Sequence, residues 1–310
     1  LAAEGPESLA ALAVEVGPRP ASDTTSEARA FVQASGEAVL YDALAHTQDD
    51  PAMGLTLAGE RLLDGWSWWL DADSLALDGD DRHRGVARPD FAVRAYLQRD
   101  TTDFIGKLLN SIRGDERARF VERISLVDLA DSTAALLIAA PDSIGAVAFR
   151  PVVSAGAAAD SARTVGESLV VYGGGVWTAI RAEGGAVRLG DIETAPEAGR
   201  DAANVPGEIV FETPGRLAVV TGATPAEADR LAGLALSRAD ALRQQRADRL
   251  VSVVEGVPLQ TEDAAFDRSL RWAAVTLDAL TVRDSTSAAL ALGLPGREPQ
   301  PGLSTIGAVR

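Results

Sequence analysis

Short apolar runs separated by turn residues occupy the first two thirds of this 310-residue chain. Each run is a few residues long, and Gly, Pro or Asp stands between neighbouring runs. This pattern is typical of antiparallel strands joined by tight turns, and it lacks the strand–helix alternation of Rossmann and α/β-barrel folds. The sequence therefore predicts a mainly β fold of packed antiparallel sheets. The predicted strands are 30–32, 38–41, 54–57, 66–70, 92–98, 119–126, 134–140, 144–150, 168–172, 176–182, 186–189, 208–212 and 217–221.

The pattern changes to helix after Gly222. Thr224-Pro225-Ala226-Glu227 combines an N-cap residue, a proline suited to the first helical position and the glutamate of a capping box. We predict a helix from here to about Val254, ended by Gly256 and Pro258.

A second predicted helix follows, with Thr261 or Asp263 as its cap, and it carries an apolar stripe. Such a stripe must be covered, either by the β-domain or by a domain outside these residues. The tail then contains the breaker cluster 293–296 and is predicted as loop. We thus expect a β-domain at 1–222, a helical linker at 223–282 and a loop-rich tail at 283–310. The stripe consists of Phe266, Leu270, Ala273, Ala274, Leu277 and Leu280.

The charge is strongly acidic, with 45 Asp and Glu against 29 Lys and Arg and a net charge of −16. Such a surface repels phosphate backbones, so nucleic acid is not an expected partner. Lys107 is the single lysine. Arginine bias alone follows from a GC-rich genome, whereas the excess of acids favours a halophilic protein.

Other bulk features restrict the chemistry and the location of the chain. The absence of cysteine excludes disulfides, thiolate nucleophiles and cysteine metal sites. No apolar run approaches the roughly 18 residues of a membrane span, so we expect a soluble protein, cytoplasmic or exported. The first residue is Leu1, which indicates that the natural start was removed and that a signal peptide could have been lost with it.

Few motifs point to catalysis. The two histidines, His46 and His83, lie in separate predicted loops and are interpreted as ordinary turn residues. Gly173-Gly174-Gly175 lacks the spacing of a phosphate loop and predicts a tight turn. There is no Gly-x-Ser-x-Gly elbow, and although many acids are available, the sequence alone does not pair any two of them as glycosidase carboxylates. We expect no cofactor and no catalytic residue.

An acidic cluster precedes the second histidine and could bind a cation. It does not fit the EF-hand pattern, because Leu75 and Ala76 stand where a ligand and the turn glycine should be. A solvated turn is the preferred interpretation, and no metal site is predicted. The cluster contains Asp71, Asp73, Asp78, Asp80 and Asp81.

Trp66-Ser67-Trp68-Trp69 is rich in indole. In a strand, Trp66 and Trp68 share one face and Trp69 takes the other. Trp66 and Trp68 are therefore the candidate carbohydrate-binding residues, because an indole face can stack on a sugar ring. The preferred interpretation is nevertheless that these large aromatic residues fill the core of the β-domain.

An ordered series of short stretches resembles the N-terminal β-domain of glycogen-debranching-enzyme-like glycoside hydrolases, the amylo-α-1,6-glucosidase group. The resemblance runs from about Ala30 to Leu280, and the order of the stretches carries it more than any one motif. The stretches are Ala30–Ala34, Ala38–Asp42 with His46-Thr47, Leu62–Trp66, Arg88–Phe91 with Arg94–Tyr96, Arg123–Asp128 with Ala135–Ile138 and Arg150-Pro151, and Phe266–Ala273.

This resemblance implies a β-supersandwich, similar in shape to galactose mutarotase, followed by linker helices. In the family an α/α toroid then holds the catalytic acids, and here Gly293–Gly296 stands where its entry sequence would be. The implied role is a non-catalytic accessory domain that scaffolds a C-terminal helical catalytic domain absent from this chain and contacts α-glucan. The alternatives are a stand-alone carbohydrate-binding module and an enzyme of the aldose-epimerase type, although the mutarotase-type His and Glu pair cannot be placed.

Overall fold

A computed structural model describes most of the chain. The described residues are 6–16, 30–35, 38–43, 54–57, 60–70, 75–77, 84–97, 118–130, 133–154, 157–190, 205–258, 260–279, 281–283, 288–291 and 305–309.

Antiparallel strands dominate the described residues up to Gly222, which confirms the prediction of a mainly β fold. Fifteen strands in this part of the chain form one sheet, with the path β1-β7-β8-β9-β10-β15-β13-β12-β11. Their bounds are β1 Val14–Val16, β2 Ala30–Ser35, β3 Ala38–Ala43, β4 Gly54–Leu57, β5 Glu60–Leu70, β6 Leu75–Leu77, β7 Arg84–Ala87, β8 Ala92–Leu97, β9 Ala118–Ala130, β10 Thr133–Val153, β11 Ala157–Val165, β12 Ser168–Gly173, β13 Val176–Ala182, β14 Ala186–Leu189 and β15 Gly207–Gly222.

Two long strands make the sheet curl around its core. The first half of β10 pairs with β9 and its second half with β5, while β15 runs along the other side of β10. β15 in turn pairs with β13 near its end and with β14 near its start. The sequence predicted each long strand as two, because prolines lie in their middles. A register irregularity between Ala140 and Gly145 lets β10 continue past Pro141.

The sheet is buried on both faces in its centre. On β12, Leu169 and Val171 belong to the main core inside the curl, whereas Val170 belongs to a second cluster under the helices. Burial on both faces explains why these strands are continuous apolar runs. Strands β1, β6, β7 and β11 were missed because their sequences are short or polar.

Four helices lie in the described residues: α1 Glu7–Ala10, α2 Pro225–Ser237, α3 Ala239–Glu255 and α4 Ala264–Ala279. The capping box is confirmed, because Glu227 N donates to Thr224 Oγ1 at 3.2 Å and the Glu227 carboxylate accepts from Ala223 N at 3.0 Å. The helix predicted as continuous to Val254 is instead two helices, interrupted at Arg238. Asp263 is the cap of α4, since its Oδ1 accepts from Ala265 N at 2.9 Å.

The helices form two packing layers. α2 covers the outer face of β10, β13 and β15, and α3 continues across β9. α3 also packs against α1 and α4 in a separate apolar cluster that includes Leu9, Leu250 and Val275. None of the helices in the described ranges is long and apolar enough to cross a membrane.

The tail differs from its prediction as loop. Its described residues include β17 Ala288–Ala291 and β18 Thr305–Val309, which form a three-stranded antiparallel sheet with β16 Thr281–Arg283 at the end of the predicted linker. The prediction gave most weight to the glycines and prolines between residues 293 and 301 and too little to the short Ala and Val runs on either side of them.

Candidate functional site

A buried carboxylate links three strands inside the curl of the sheet. Glu122 of β9 has no exposed surface. Its Oε1 accepts a hydrogen bond from the Tyr96 hydroxyl at 2.8 Å and forms an ion pair with Arg94, both on β8. Its Oε2 accepts from the indole nitrogens of Trp68 at 2.8 Å and Trp66 at 3.2 Å, both on β5. Four donors therefore satisfy one carboxylate.

Strand register brings these residues together. Arg94 lies directly opposite Glu122 in the β8–β9 pair, and Tyr96 is two residues further along the same face. Trp66 and Trp68 share a face of β5 for the same reason, as the sequence predicted. With both oxygens hydrogen bonded and no exposed surface, the Glu122 carboxylate joins three strands.

The structure separates the two tryptophans that were predicted to bind carbohydrate. Trp68 is fully buried, with ring centroids 4.7 Å from Phe120 and 5.0 Å from Phe149. A sugar cannot reach its indole, so for Trp68 the core interpretation replaces the sugar platform. Trp66 is half-buried and its ring is 6.0 Å from Phe149. Its contact with a glycan stays a prediction.

A different aromatic pair is accessible on the helix-covered face of the sheet. Tyr172 of β12 and Trp177 of β13 are cross-strand partners with ring centroids 4.8 Å apart. Tyr172 is 41% exposed, and the guanidinium of Arg163 lies 4.1 Å from the centroid of Trp177. Sequence reasoning missed this pair. The turn Gly174-Gly175 between the two strands was the available signal, because a two-residue hairpin turn places the flanking residues opposite one another.

That turn confirms the interpretation of the glycine run. Gly174 and Gly175 have φ values of 58° and 82°, the left-handed conformation that a tight hairpin requires at both positions. The remaining candidates, His46, His83 and the acidic cluster Asp71, Asp73, Asp78, Asp80 and Asp81, lie outside the described residues. Among the residues that are described, no group of three His, Asp or Glu side chains could hold a metal ion.

The apolar stripe of α4 is partly exposed; Leu270 and Ala274 are half-buried, and Leu280 lies outside the described residues. Val275 is buried and Trp272 packs beside it against α1 and α3. On the stripe itself, Phe266 is 48% exposed, Leu277 is 55% exposed and Ala273 is exposed. The helix thus packs through its Val275 face, while Phe266, Ala273 and Leu277 of the stripe are exposed.

Polar contacts fix α4 in this orientation. Arg249 of α3 bonds Asp278 at 3.1 Å, and Arg268 donates to the carbonyl oxygen of Ala13. At the start of the helix, the buried Asp267 accepts from the backbone N–H and the hydroxyl of Thr261. These bonds lie beside the Trp272–Val275 face, so the outward direction of the stripe is defined by contacts on the opposite side of α4.

Comparisons with known proteins give a likeness to solved structures and no match in sequence. No family model matches the sequence, and no curated protein matches it. Among solved structures, the chain is similar to a bacterial glucoamylase complexed with acarbose, at a TM-score of 0.42 and 12% sequence identity. The likeness covers 86% of this chain and 44% of that chain, so this chain spans less than half of the glucoamylase. A TM-score below 0.5 does not establish a shared fold.

Proposed function

We propose that the chain is the non-catalytic β-domain of a glycogen-debranching-like glycoside hydrolase, arranged as a supersandwich with linker helices. Its role is to hold a helical catalytic domain in place beside the α-glucan. The exposed stripe of α4 is the observation that carries this proposal.

Exposure of the stripe is what a docking surface requires. Scattered exposed apolar residues are ordinary, but a continuous apolar face on a monomer marks an interaction site. Phe266, Ala273 and Leu277 are exposed on a single helix, and Leu270 between them is half-buried. Covering such a face removes apolar surface from water and stabilises the complex.

The spacing of the stripe favours a helical partner. The steps from 266 to 270, 273, 277 and 280 are four, three, four and three residues, which is the alternation of core positions in packed helices. The surface of a flat sheet or of a sugar chain does not have this repeat, whereas the ridges of another helix match it. A catalytic domain built from helices is therefore the occupant that we propose.

A non-catalytic role agrees with the buried polar groups. The carboxylate of Glu122 is inside the curl and fully hydrogen bonded. The buried pairs Arg88–Asp90 and Arg150–Glu208 also bind each other, with N–O distances of 3.0 and 2.8 Å. Such carboxylates are committed to structure, and glycoside hydrolysis needs two that face the sugar.

Co-purification tests the docking. The chain would be co-expressed with the helical domain of a debranching-like hydrolase from the same genome, and we expect a one-to-one complex. Leu277→Ser and Phe266→Ser should each weaken binding at least tenfold. Leu189→Ser is the matched control, since Leu189 is 47% exposed on β14 and is not part of α4. No complex, or equal binding by all variants, would contradict the docking.

An activity assay tests the non-catalytic part. The chain alone should hydrolyse glycogen and pullulan no faster than buffer. Hydrolysis by the purified chain that survives a second purification step would overturn this part of the proposal while leaving the docking result unaffected.

A second candidate function, carbohydrate binding by the chain itself, is favoured by the Tyr172–Trp177 pair. An accessible aromatic ring beside a guanidinium offers stacking and hydrogen-bond donors to a sugar. In affinity electrophoresis through amylopectin, Tyr172→Ala should abolish any retardation of the wild-type chain, and Leu189→Ala should not. Unretarded wild-type protein would leave only the scaffolding role.

A further inference from the structure

Basic side chains concentrate between α3 and β9 in a protein whose net charge is −16. Arg243, Arg246 and Arg249 follow one another at steps of three along α3 and therefore share a side of the helix. Arg123 of β9 lies close enough to Arg243 to repel its charge. We call these four residues the arginine cluster.

Arg246 is only partly satisfied by backbone acceptors. Its Nη2 donates to the carbonyl oxygen of Pro89 at 3.1 Å, and its terminal nitrogens are 3.5 Å from the carbonyl oxygen of Ala34. Its Nε is closed to solvent and has no acceptor in the described part of the chain. A buried donor without an acceptor destabilises the fold, so the position favours a negatively charged group.

Arg243 has more unused donors. Its Nη1 lies 3.7 Å from Asp240 Oδ1, but Nε and Nη2 are closed to solvent and have no acceptor among the described residues. These two nitrogens form the edge of the guanidinium that binds an oxyanion through two parallel hydrogen bonds. The side chain as a whole is 16% exposed, so another part of it reaches the surface.

The hydroxyl of Ser125 on β9 is also buried without a hydrogen-bond partner among the described residues. Ser125 alternates with Arg123 and Val127 and so shares their face of the strand, the face on which Val127 packs with Leu242 of α3. Its Oγ is buried and has no hydrogen-bond partner within the described ranges. A hydroxyl can donate to an anion that also meets the arginines.

The electrostatics of the cluster favour an anion. The pKa of Arg243 is lowered to about 10, first by burial and then by the charge of Arg123, while Asp240 raises it and Arg216 lowers it. Burial also lowers the pKa of Arg246, and Arg249 adds to this effect, whereas Asp128, Asp90 and Asp278 raise it. Arg243 is still protonated at neutral pH, so its repulsion by Arg123 and Arg216 is present and would be relieved by a bound negative charge.

We propose that the space between α3 and β9 binds a small oxyanion, a phosphate or a carboxylate, through Arg243 Nε and Nη2, Arg246 Nε and Ser125 Oγ. The planar fork of arginine matches both groups, whereas chloride offers it no paired oxygens. The site is independent of the α4 stripe and of any glycan contact.

Calorimetry and thermal unfolding of the whole chain test this site. At constant ionic strength, sodium phosphate or sodium malonate should bind with a Kd below 1 mM and raise the melting temperature above its value in sodium chloride. Arg243→Met and Arg246→Met should each weaken binding at least tenfold. Arg230→Met is the matched control, because Arg230 is exposed on α2 and loses the same charge; it should bind like wild type.

The two probes distinguish the source of the oxyanion. Tighter binding of phosphate indicates a free phosphate ligand, and tighter binding of malonate indicates a carboxylate. Equal melting temperatures in phosphate, malonate and chloride would overturn the proposal, and so would a phosphate effect that survives in both Met variants. Should a Met variant not fold, Arg243→Lys keeps the charge without the fork and should still lose most of the affinity.

Discussion

α2 and α4 are both amphipathic helices, but they use their apolar residues in opposite ways. On α2, Ala228, Ala232 and Ala235 are fully buried against the sheet. On α4, Phe266 and Leu277 are about half exposed, and a narrower face with Val275 makes the contact. Small residues let α2 lie close to the strands, whereas the large apolar residues Phe266 and Leu277 of α4 lie outside its contact with the rest of the chain. A periodic stripe therefore predicts a helix but not which body covers it.

A buried charge should produce the largest difference in stability between variants of α2 and variants of α4. Ala232→Asp places a carboxylate in the fully buried contact between α2 and the sheet, where nothing can pair with it, and should destabilise the fold by about 3 kcal/mol or more. Ala273→Asp, on the exposed side of α4, should change stability by less than about 0.5 kcal/mol. Urea unfolding of both variants measures the difference. Equal effects would show that the stripe of α4 is covered within the chain.

The two faces of α4 can be compared with each other. Val275→Ala removes two methyl groups from the cluster shared with α1 and α3 and should cost about 2 kcal/mol. Hydrogen exchange should then report faster opening of α4 than of α2. Stability unchanged by Val275→Ala would mean that this face is not the one that anchors the helix.

α3 carries an unfavourable charge that its neighbours do not. Arg243→Met should raise stability by about 1 kcal/mol at pH 7 in buffer without oxyanions, because it removes a buried cation whose pKa is lowered to about 10. A base with a lowered folded-state pKa destabilises the protein at every pH below that value and does so less as pH rises above it. The gain should therefore be equal at pH 6 and pH 9 and shrink above pH 10. A gain in stability that changes between pH 6 and pH 9 would show that the effect comes from another titrating group.

The smallest effect is expected on the stripe itself. Leu277→Ser should alter the free energy of unfolding by less than about 0.5 kcal/mol, because the side chain is 55% exposed. Its effect should appear only in binding to the helical partner. Chemical unfolding at two protein concentrations checks both points, and a loss above 1 kcal/mol would indicate that Leu277 is buried in solution.

Local patterns in the sequence predict most strands and the starts of α2 and α4 in this fold. The cap at Thr224 and the turn at Gly174-Gly175 depend on neighbouring residues alone, so short-range reasoning finds them. The union of two predicted strands in β10 depends on β9, β5 and β15, which are far apart in sequence. The Trp66-Ser67-Trp68 face was predicted, but its burial against Glu122 depends on a strand more than fifty residues away. Pairing at that range leaves no signal in a single sequence.

The site residues followed the same division. The outward direction of α4 is decided by contacts with Ala13 and Arg249, neither of which is near in sequence. The arginine cluster was not predicted. From the sequence alone each arginine is expected to be a surface residue, and only the packing of α3 on β9 brings them together. Its signal exists only as a step of three along one helix.

β10 has a consequence for how the molecule opens. One uninterrupted strand supplies edges to β9, β5 and β15, so neither half of the curl can detach without breaking the pairing of the other. Because β10 is shared in this way, the β-domain should unfold as a single cooperative unit. The amides of β10 should be among the last to exchange with deuterium. α4 is not hydrogen bonded to the strands of the β-domain in this way. It can therefore rearrange against a new neighbour while the β-domain keeps its shape.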